Sequence, residues 1–392
     1  MSETHLNGYS ASFYWLCFSS FLFFMGFNMI IPELPQFLTN LGGASYKGYI
    51  IGVFTLVAGL SRPFSGKLCD TIGRVPIMVF GMVVSTVCTV LYPFLGSIWL
   101  FFVLRTLHGL STGFTPTGTS AYASDIIPAH KTGEGLGILS LISTIGMALA
   151  PALGSQITIV YGINTLFYAC TAVSAASAIA FFFLKETLPT PQPFSLKLLN
   201  IKRSEIYEPA VLFPSFILFL MVLTFGVVVT AIPDISVWLG FENKGIFFLV
   251  FTVTSIVPRL VAGKASDKHG RRNVAKLGAM LMLVATATAV FATNKTVFLV
   301  AAVLYGLSVG IYAPTLPAWV IDKSPKMNKG KAVATMYIAL EAGICLGSVG
   351  TGFLLNWYPK NPNFSFIIGF LGAMVALFFL FKPTIHIKGK NG

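Results

Sequence analysis

The chain has 392 residues, 55% of them hydrophobic and only 10% charged, with a mean hydropathy of +0.80. Soluble domains carry about 25% charged residues, so a surface that mostly faces water is excluded, and no long polar block exists to build a separate globular domain. The net charge of +13 raises the question of nucleic acid, which the positions of the lysines and arginines decide.

A helix crosses the hydrocarbon core with about 20 mostly apolar residues. In chain order, such stretches occur near 13–38, 48–65, 75–95, 98–124, 135–157 and 164–184, then near 210–237, 245–262, 274–293, 296–321, 332–356 and 364–382. The expectation is an all-α polytopic membrane protein with twelve transmembrane helices. The runs are continuous rather than alternating, which argues against a β-barrel. The opening MSETHLNGYS lacks the basic start of a cleaved signal peptide, so the first apolar stretch is expected to stay as a span. Cys17, Cys88, Cys170 and Cys345 lie in apolar runs and Cys69 lies beside Asp70. Neither a disulfide framework nor a metal site is indicated, and no cofactor is expected.

Orientation follows from basic residues in the loops. With a cytoplasmic N-terminus, one face holds Lys67, Arg74, Lys131, Lys185, Lys197, Lys202, Arg203, Lys264, Lys268, Arg271, Arg272, Lys276, Lys323, Lys326, Lys329, Lys331, Lys382, Lys388 and Lys390. The other face holds only Lys47, Lys244, Lys295 and Lys360. Both termini are then cytoplasmic, and the positive charge serves topology and anionic headgroups rather than nucleic acid. A monomer in a bacterial inner membrane is the expectation.

GKLCDTIGR at 66–74 returns as GKASDKHGR at 263–271, an offset of 197. The same offset relates Arg62 to Arg259, Lys47-Gly48 to Lys244-Gly245, Gly109 and Gly113 to Gly306 and Gly310, Asp125 to Asp322, and Pro128 to Pro325. Six spans therefore read as duplicated, giving two pseudo-symmetric six-helix bundles in the same orientation, as in parallel repeats about a membrane-normal axis. The expected divisions are 1–185 for the first bundle, 186–209 for a Pro-rich, basic cytoplasmic linker, and 210–392 for the second bundle. Gly-x-Ser-x-Gly occurs twice, as GLSTG at 109–113 and GLSVG at 306–310. A hydrolase needs that pattern on a strand-to-helix elbow; inside apolar helical runs it reads as helix packing. No enzyme constellation is found.

These residues resemble a known family. GKLCDTIGR and its repeat look like the loop signature of the major facilitator superfamily, between spans two and three of each half. LRTLHGLSTG, 104–113, is similar to that superfamily's fourth-span motif, and GMALAPALGS, 146–155, resembles its fifth-span antiporter motif, with Ala150 where glycine is usual. The likeness is strongest to twelve-span drug:proton antiporters. It implies that Gly66, Asp70, Gly73 and Arg74, with Gly263, Asp267 and Arg271 as a second copy, latch the two halves when the cytoplasmic side is closed. By spacing alone, Asp70 and Arg74 can pair on the first turn of span three, with Asp70 near the positive end of that helix. Gly66 and Gly73 are expected in a tight turn. Gly146, Ala150 and Gly154 recur every four residues and form a smooth stripe suited to close packing, with Pro151 an expected kink site in the same span. The stripe is expected to lie between the halves.

Charges present in one copy only need a reason other than the shared scaffold. Arg105 maps to Ala302, His108 to Tyr305, and Glu341 to Thr144. An ionisable group at membrane depth costs about 2.5 kcal/mol or more and usually faces a cavity or a partner. Arg105 lies about 10 Å from the outer end of span four, with His108 on the same face. Glu33, in IIPELPQFL, has a loose counterpart in Asp234 of AIPDISVWL. In the resembled fold, spans one and four line a central cavity, so Glu33 and Arg105 are expected to face each other or a shared site, with Phe27 and Asn28 lining it. Glu341 lies roughly 14 Å inside span eleven, where apolar surroundings disfavour a charged carboxylate. Glu33, Glu341 and His108 are the candidate proton carriers. The expected function is alternating-access, proton-coupled efflux of a small amphiphilic or organic solute. The alternative is an importer or facilitator of an anionic metabolite, sugar or lipid, in which Arg105 would hold the acid group.

Overall fold

A computed structural model describes residues 9–128, 132–201, 207–324 and 329–382. Of the residues invoked above, Lys131, Lys202, Arg203, Pro325, Lys326, Lys388 and Lys390 lie outside the described residues. The described chain is built of α-helices joined by short turns. The first part holds α1 (Ala11–Met29), α2 (Leu34–Asn40), α3 (Lys47–Thr71), α4 (Arg74–Leu91), α5 (Ile98–Ile126), α6 (Thr132–Tyr161) and α7 (Ile163–Phe182). The second holds α8 (Leu212–Trp238), α9 (Ile246–His269), α10 (Arg271–Val290), α11 (Lys295–Lys323), α12 (Lys329–Trp357) and α13 (Ile367–Phe381).

Among the described residues, ten stretches are long and apolar enough to cross a membrane, with Ala11–Asn40 counted as one. That stretch is not one smooth helix. It turns at residues 30–33, where Pro32 supplies no backbone donor, and restarts as α2 with Pro35 in its first turn. Helices α3 and α5 are not among the ten; they carry Arg62, Lys67 and Asp70, and Arg105 and Asp125, respectively.

Within the first part, α1 packs on α6 and α7, α4 on α5 and α7, and α3 on α5. Within the second, α8 packs on α12 and α13, while α11 packs on α9 and α10. Contacts between the parts run chiefly through α3 with α12 and α6 with α9. Small residues set these distances, because lipid offers no hydrophobic drive between helices and close packing must hold them. Gly109 and Gly113 of α5 abut the backbone of α3 at Phe54 and Ala58, and Gly306 and Gly310 of α11 abut α9 at Phe251 and Ser255. Both Gly-x-Ser-x-Gly runs are thus helix interfaces.

The stripe on α6 packs differently from the expectation. A Cβ on Gly146 would come 2.7 Å from the Phe21 carbonyl oxygen, and one on Gly154 would collide with that of Met29. Both partners belong to α1, so the stripe seats α6 on its own neighbour rather than on the second part. Ala150, fully buried, tolerates its methyl between them. What meets the second part is the adjoining backbone: Gly245 lies against Pro151 and Ala152, with Pro151 interior to α6. Gly154→Val should lower the detergent-solubilised melting temperature, consistent with an overpacking loss of about 1–3 kcal/mol. Gly66→Val, at a site with nothing within 4 Å, should leave it unchanged. Equal melting temperatures for the two variants would refute this packing account.

Candidate functional site

Two loops, at residues 41–46 and 239–245, mark one end of the molecule, and the turns at Gly73 and Gly270 mark the other. At the first end the two parts are clasped. Lys47 Nζ meets Asp234 Oδ1 at 2.7 Å, and Lys244 Nζ meets Glu33 Oε2 at 2.7 Å. The repeat-related lysines therefore each reach across to a carboxylate of the other part. Around them, the Asn243 amide donates to the Ala152 carbonyl, Lys244 N–H donates to Ser155 Oγ, and Ser348 Oγ donates to the Gly48 carbonyl. Gly48 and Gly352 meet backbone to backbone.

Deeper, a second cross-pair joins the parts. Arg62 Nη2 of α3 lies 3.1 Å from Glu341 Oε1 of α12, and both residues are 7% exposed. The same guanidinium donates to Thr117 Oγ1 and lies 4.4 Å above the Tyr337 ring, while its Nε has no hydrogen-bond partner among the described residues. At the repeat-related position, Arg259 of α9 donates to Thr144 Oγ1 of α6 at 2.7 Å. Arginine thus occupies both copies, but its partner is a carboxylate in one and a hydroxyl in the other. Removing one member of a buried ion pair costs about 3–5 kcal/mol, because the remaining charge is stranded.

The described hydrogen bonds and ion pairs between the helices of the two parts reach no further toward the Gly73 end than Arg62 and Arg259. At that end, Cβ atoms built on Gly66 and Gly263 would meet nothing within 4 Å. Asp70 and Asp267 have side chains 74% and 64% exposed. Each latch copy pairs inside its own part: Arg74 with Asp70 and Asp125, and Arg271 with Asp267 and Asp322. The turn lies at Gly73 (φ +132°) and Gly270 (φ +84°), conformations that favour glycine. Gly66 is instead interior to α3. Asp70 closes α3 rather than opening the next helix, so its bond to Arg74 spans the turn. The carboxylate at the positive end of α4 is Glu186, accepting from Arg74 N–H and Val75 N–H at 3.0 Å each.

Between the clasp and the open end lies a cavity of about 390 Å³, walled by α1, α3, α5, α6, α8, α11 and α12. Its lining includes Phe27, Asn28, Arg105 and Glu341, together with Arg62, Phe54 and Tyr337. Glu33 and His108 are not in the wall. The expected approach of Glu33 to Arg105 does not occur, because the break after α1 carries Glu33 into the clasp. Arg105, 2% exposed, donates from Nε to the Ile50 carbonyl and from Nη1 to the Tyr92 hydroxyl, and stacks 4.3 Å over Phe54. His108 lies behind it, fully buried, within 3.3 Å of both Tyr92 Oη and Ser85 Oγ.

Arg62, Lys47 and Lys244 escaped the sequence reading as site residues. Their signal was present: all three survive in both copies of the repeat, although only tertiary structure shows which carboxylate each one meets.

Long apolar helices around a small-molecule-sized, charged internal cavity define an integral membrane protein built to bind a solute. The family model of the Major Facilitator Superfamily matches residues 16–243 and 214–392; the chain belongs to that superfamily and is one of its transporters. Among curated relatives, the multi-drug resistance efflux pump PmrA of Streptococcus pneumoniae is 26% identical over 95% of this chain and 96% of its own. Multidrug resistance protein 2 of Bacillus subtilis is 26% identical over 80% and 81%. The staphylopine export protein of Staphylococcus aureus is 23% identical over 86% and 87%. The solved human organic anion transporter MFSD10 (TETRAN) superposes with a TM-score of 0.73 at 16% identity, covering 94% of this chain and 98% of its own. The nucleoside transporter NupG gives 0.70 at 13% identity, over 94% and 98%.

The clasp generates a test. Glu33→Gln and Lys244→Gln should each destabilise the protein by about 3 kcal/mol. The double variant should lose much less than the sum of the two, a coupling measurable by a double-mutant cycle of thermal unfolding in detergent. Strict additivity would show that the two residues do not pair.

Proposed function

We propose that this chain is an alternating-access secondary transporter that exports a small amphiphilic or organic solute in exchange for protons. Its architecture is taken as twelve spans, with α1–α2 counted as one and α3 and α5 included. They form two six-helix bundles, 1–185 and 210–392, joined by the linker 186–209. The observation that carries the reading is the cavity itself: it lies between the bundles, is crossed by the Arg62–Glu341 pair, and among the described residues is clasped at one end only. Basic loops place the clasped end outside and the Gly73 end in the cytoplasm, with both termini cytoplasmic in a bacterial inner membrane, and the transporter working as a monomer. The conformation is then cytoplasm-open. Export as the direction is supported by the relatives, two of which are named as multidrug resistance proteins and one as an export protein.

Glu341 is the proton carrier in this reading. Among the described residues it is the carboxylate of the cavity wall, and protonating it would release Arg62 and remove the ion pair between α3 and α12. Glu33 contributes to the outer clasp and His108 supports Tyr92 beneath Arg105, so neither needs to carry the transported proton. In the outward-open state the clasp separates, and the exposed Asp70 and Asp267 clusters approach the opposite bundle and hold the cytoplasmic side shut.

Purified protein in proteoliposomes should move solutes from a chemically broad panel when a pH gradient is imposed, and should move protons in return. Glu341→Gln should abolish the response to the gradient while retaining gradient-independent exchange. Solute flux indifferent to the gradient in the parent protein would identify a facilitator, and no flux for any solute would overturn transport by this cavity.

A further inference from the structure

The charges of the cavity wall specify more than a generic amphiphile. Its described lining holds three formally charged side chains: Arg62, Arg105 and Glu341. Arg62 has its counter-charge in Glu341 at 3.1 Å. Arg105 forms no ion pair among the described residues. Its partners are a backbone carbonyl, a phenol and the face of a ring, all of them neutral. A guanidinium does not shed its proton in a protein, and a charge taken out of water without a counter-charge is costly. Arg62 sits eight residues beyond Phe54 on α3, about 12 Å along the helix. Phe54 is the ring beneath Arg105, so Glu341 is committed to the far guanidinium and cannot serve the near one. With Glu341 ionised, the wall carries one uncompensated positive charge.

The apolar surface beside that charge is aromatic. Phe27 and Phe54 stack with centroids 5.9 Å apart, and Phe23 and Phe24 extend the same wall. The lining also holds the phenols of Tyr312 and Tyr337 and, among the described residues, no carboxylate besides Glu341.

We propose that the cavity selects an amphiphilic organic monoanion, its acid group on the Arg105 guanidinium and its apolar body against the rings of Phe27 and Phe54. This rests on the reading of the cavity as the solute site and names the substrate class for it. A lipophilic cation of the same shape would add a second like charge beside Arg105 and is rejected. The Glu341 carboxylate sets the charge number: neutralising it leaves two positive groups in the wall, and the site then prefers a dianion.

The test uses the full chain, solubilised in detergent, and matched probes: naphthalene-carboxylate, its dicarboxylate, naphthylmethyl-ammonium and naphthyl-methanol, titrated calorimetrically. The parent protein should bind the monocarboxylate at least about tenfold more tightly than the ammonium or the alcohol. Arg105→Gln should erase that preference while leaving the alcohol's affinity in place, and Arg105→Lys should recover part of it. Glu341→Gln should shift the preference from the mono- to the dicarboxylate. Equal or tighter binding of the ammonium by the parent overturns the proposal, as does monocarboxylate preference surviving in Arg105→Gln, or no saturable carboxylate binding up to about 1 mM. If Arg105→Gln does not yield folded protein, the parent's ranking and the Glu341→Gln shift decide the matter. Carboxylate binding without flux in proteoliposomes would instead leave the anion site standing and remove the transport reading.

Discussion

A charge held at membrane depth needs an opposite charge or a polar partner within reach, and in this protein the decisive partners lie across the interface between the two groups of helices. Lys47 with Asp234, Lys244 with Glu33, and Arg62 with Glu341 all join one part to the other. None can be broken without stranding a charge or bringing in water, so the helices can separate only where water or a substrate ion can replace the lost partner.

The symmetry of the contacts sharpens this. Gly48 rests on α12 at Ser348 and Gly352, and Gly245 rests on α6 at Pro151 and Ala152. The two lysines beside those glycines are exchanged in the same sense, so the clasp is the same contact made twice. The deeper pair is made twice in position but not in chemistry: Arg62 meets a carboxylate, while Arg259 meets the hydroxyl of Thr144. One interface thereby holds a buried ion pair, and the other a hydrogen bond from a guanidinium to a hydroxyl.

Much of the frame was legible in the chain. Apolar runs marked the helices, and the 197-residue offset aligned Arg62 with Arg259 and Glu341 with Thr144. The meaning of those alignments was not legible, because repeats show which residues are equivalent and not which ones touch. Glu33 illustrates the gap. Read as part of an unbroken first span, it belonged beside Arg105; Pro32 and Pro35 break the helix there and swing the carboxylate to Lys244. A periodic row of small residues on α6 does not say which neighbour it seats, and that neighbour is α1. Asp70 was placed at a helix start because the apolar run resumes just after it, whereas α3 continues through Thr71 and the start of α4 is capped from the distant Glu186.

In the proposed transport cycle, clasp and cavity mouth are reciprocal, one closed while the other is open. Pulsed electron-resonance distances between spin labels at Ala44 and Glu242, beside the clasp, and at Ser124 and Lys323, at the opposite end, test it directly; all four positions are exposed. When the clasp is disabled by Glu33→Gln with Asp234→Asn, the first distance should lengthen and the second should shorten within the same population of molecules. A clasp distance that lengthens while the opposite end stays fixed would contradict the account.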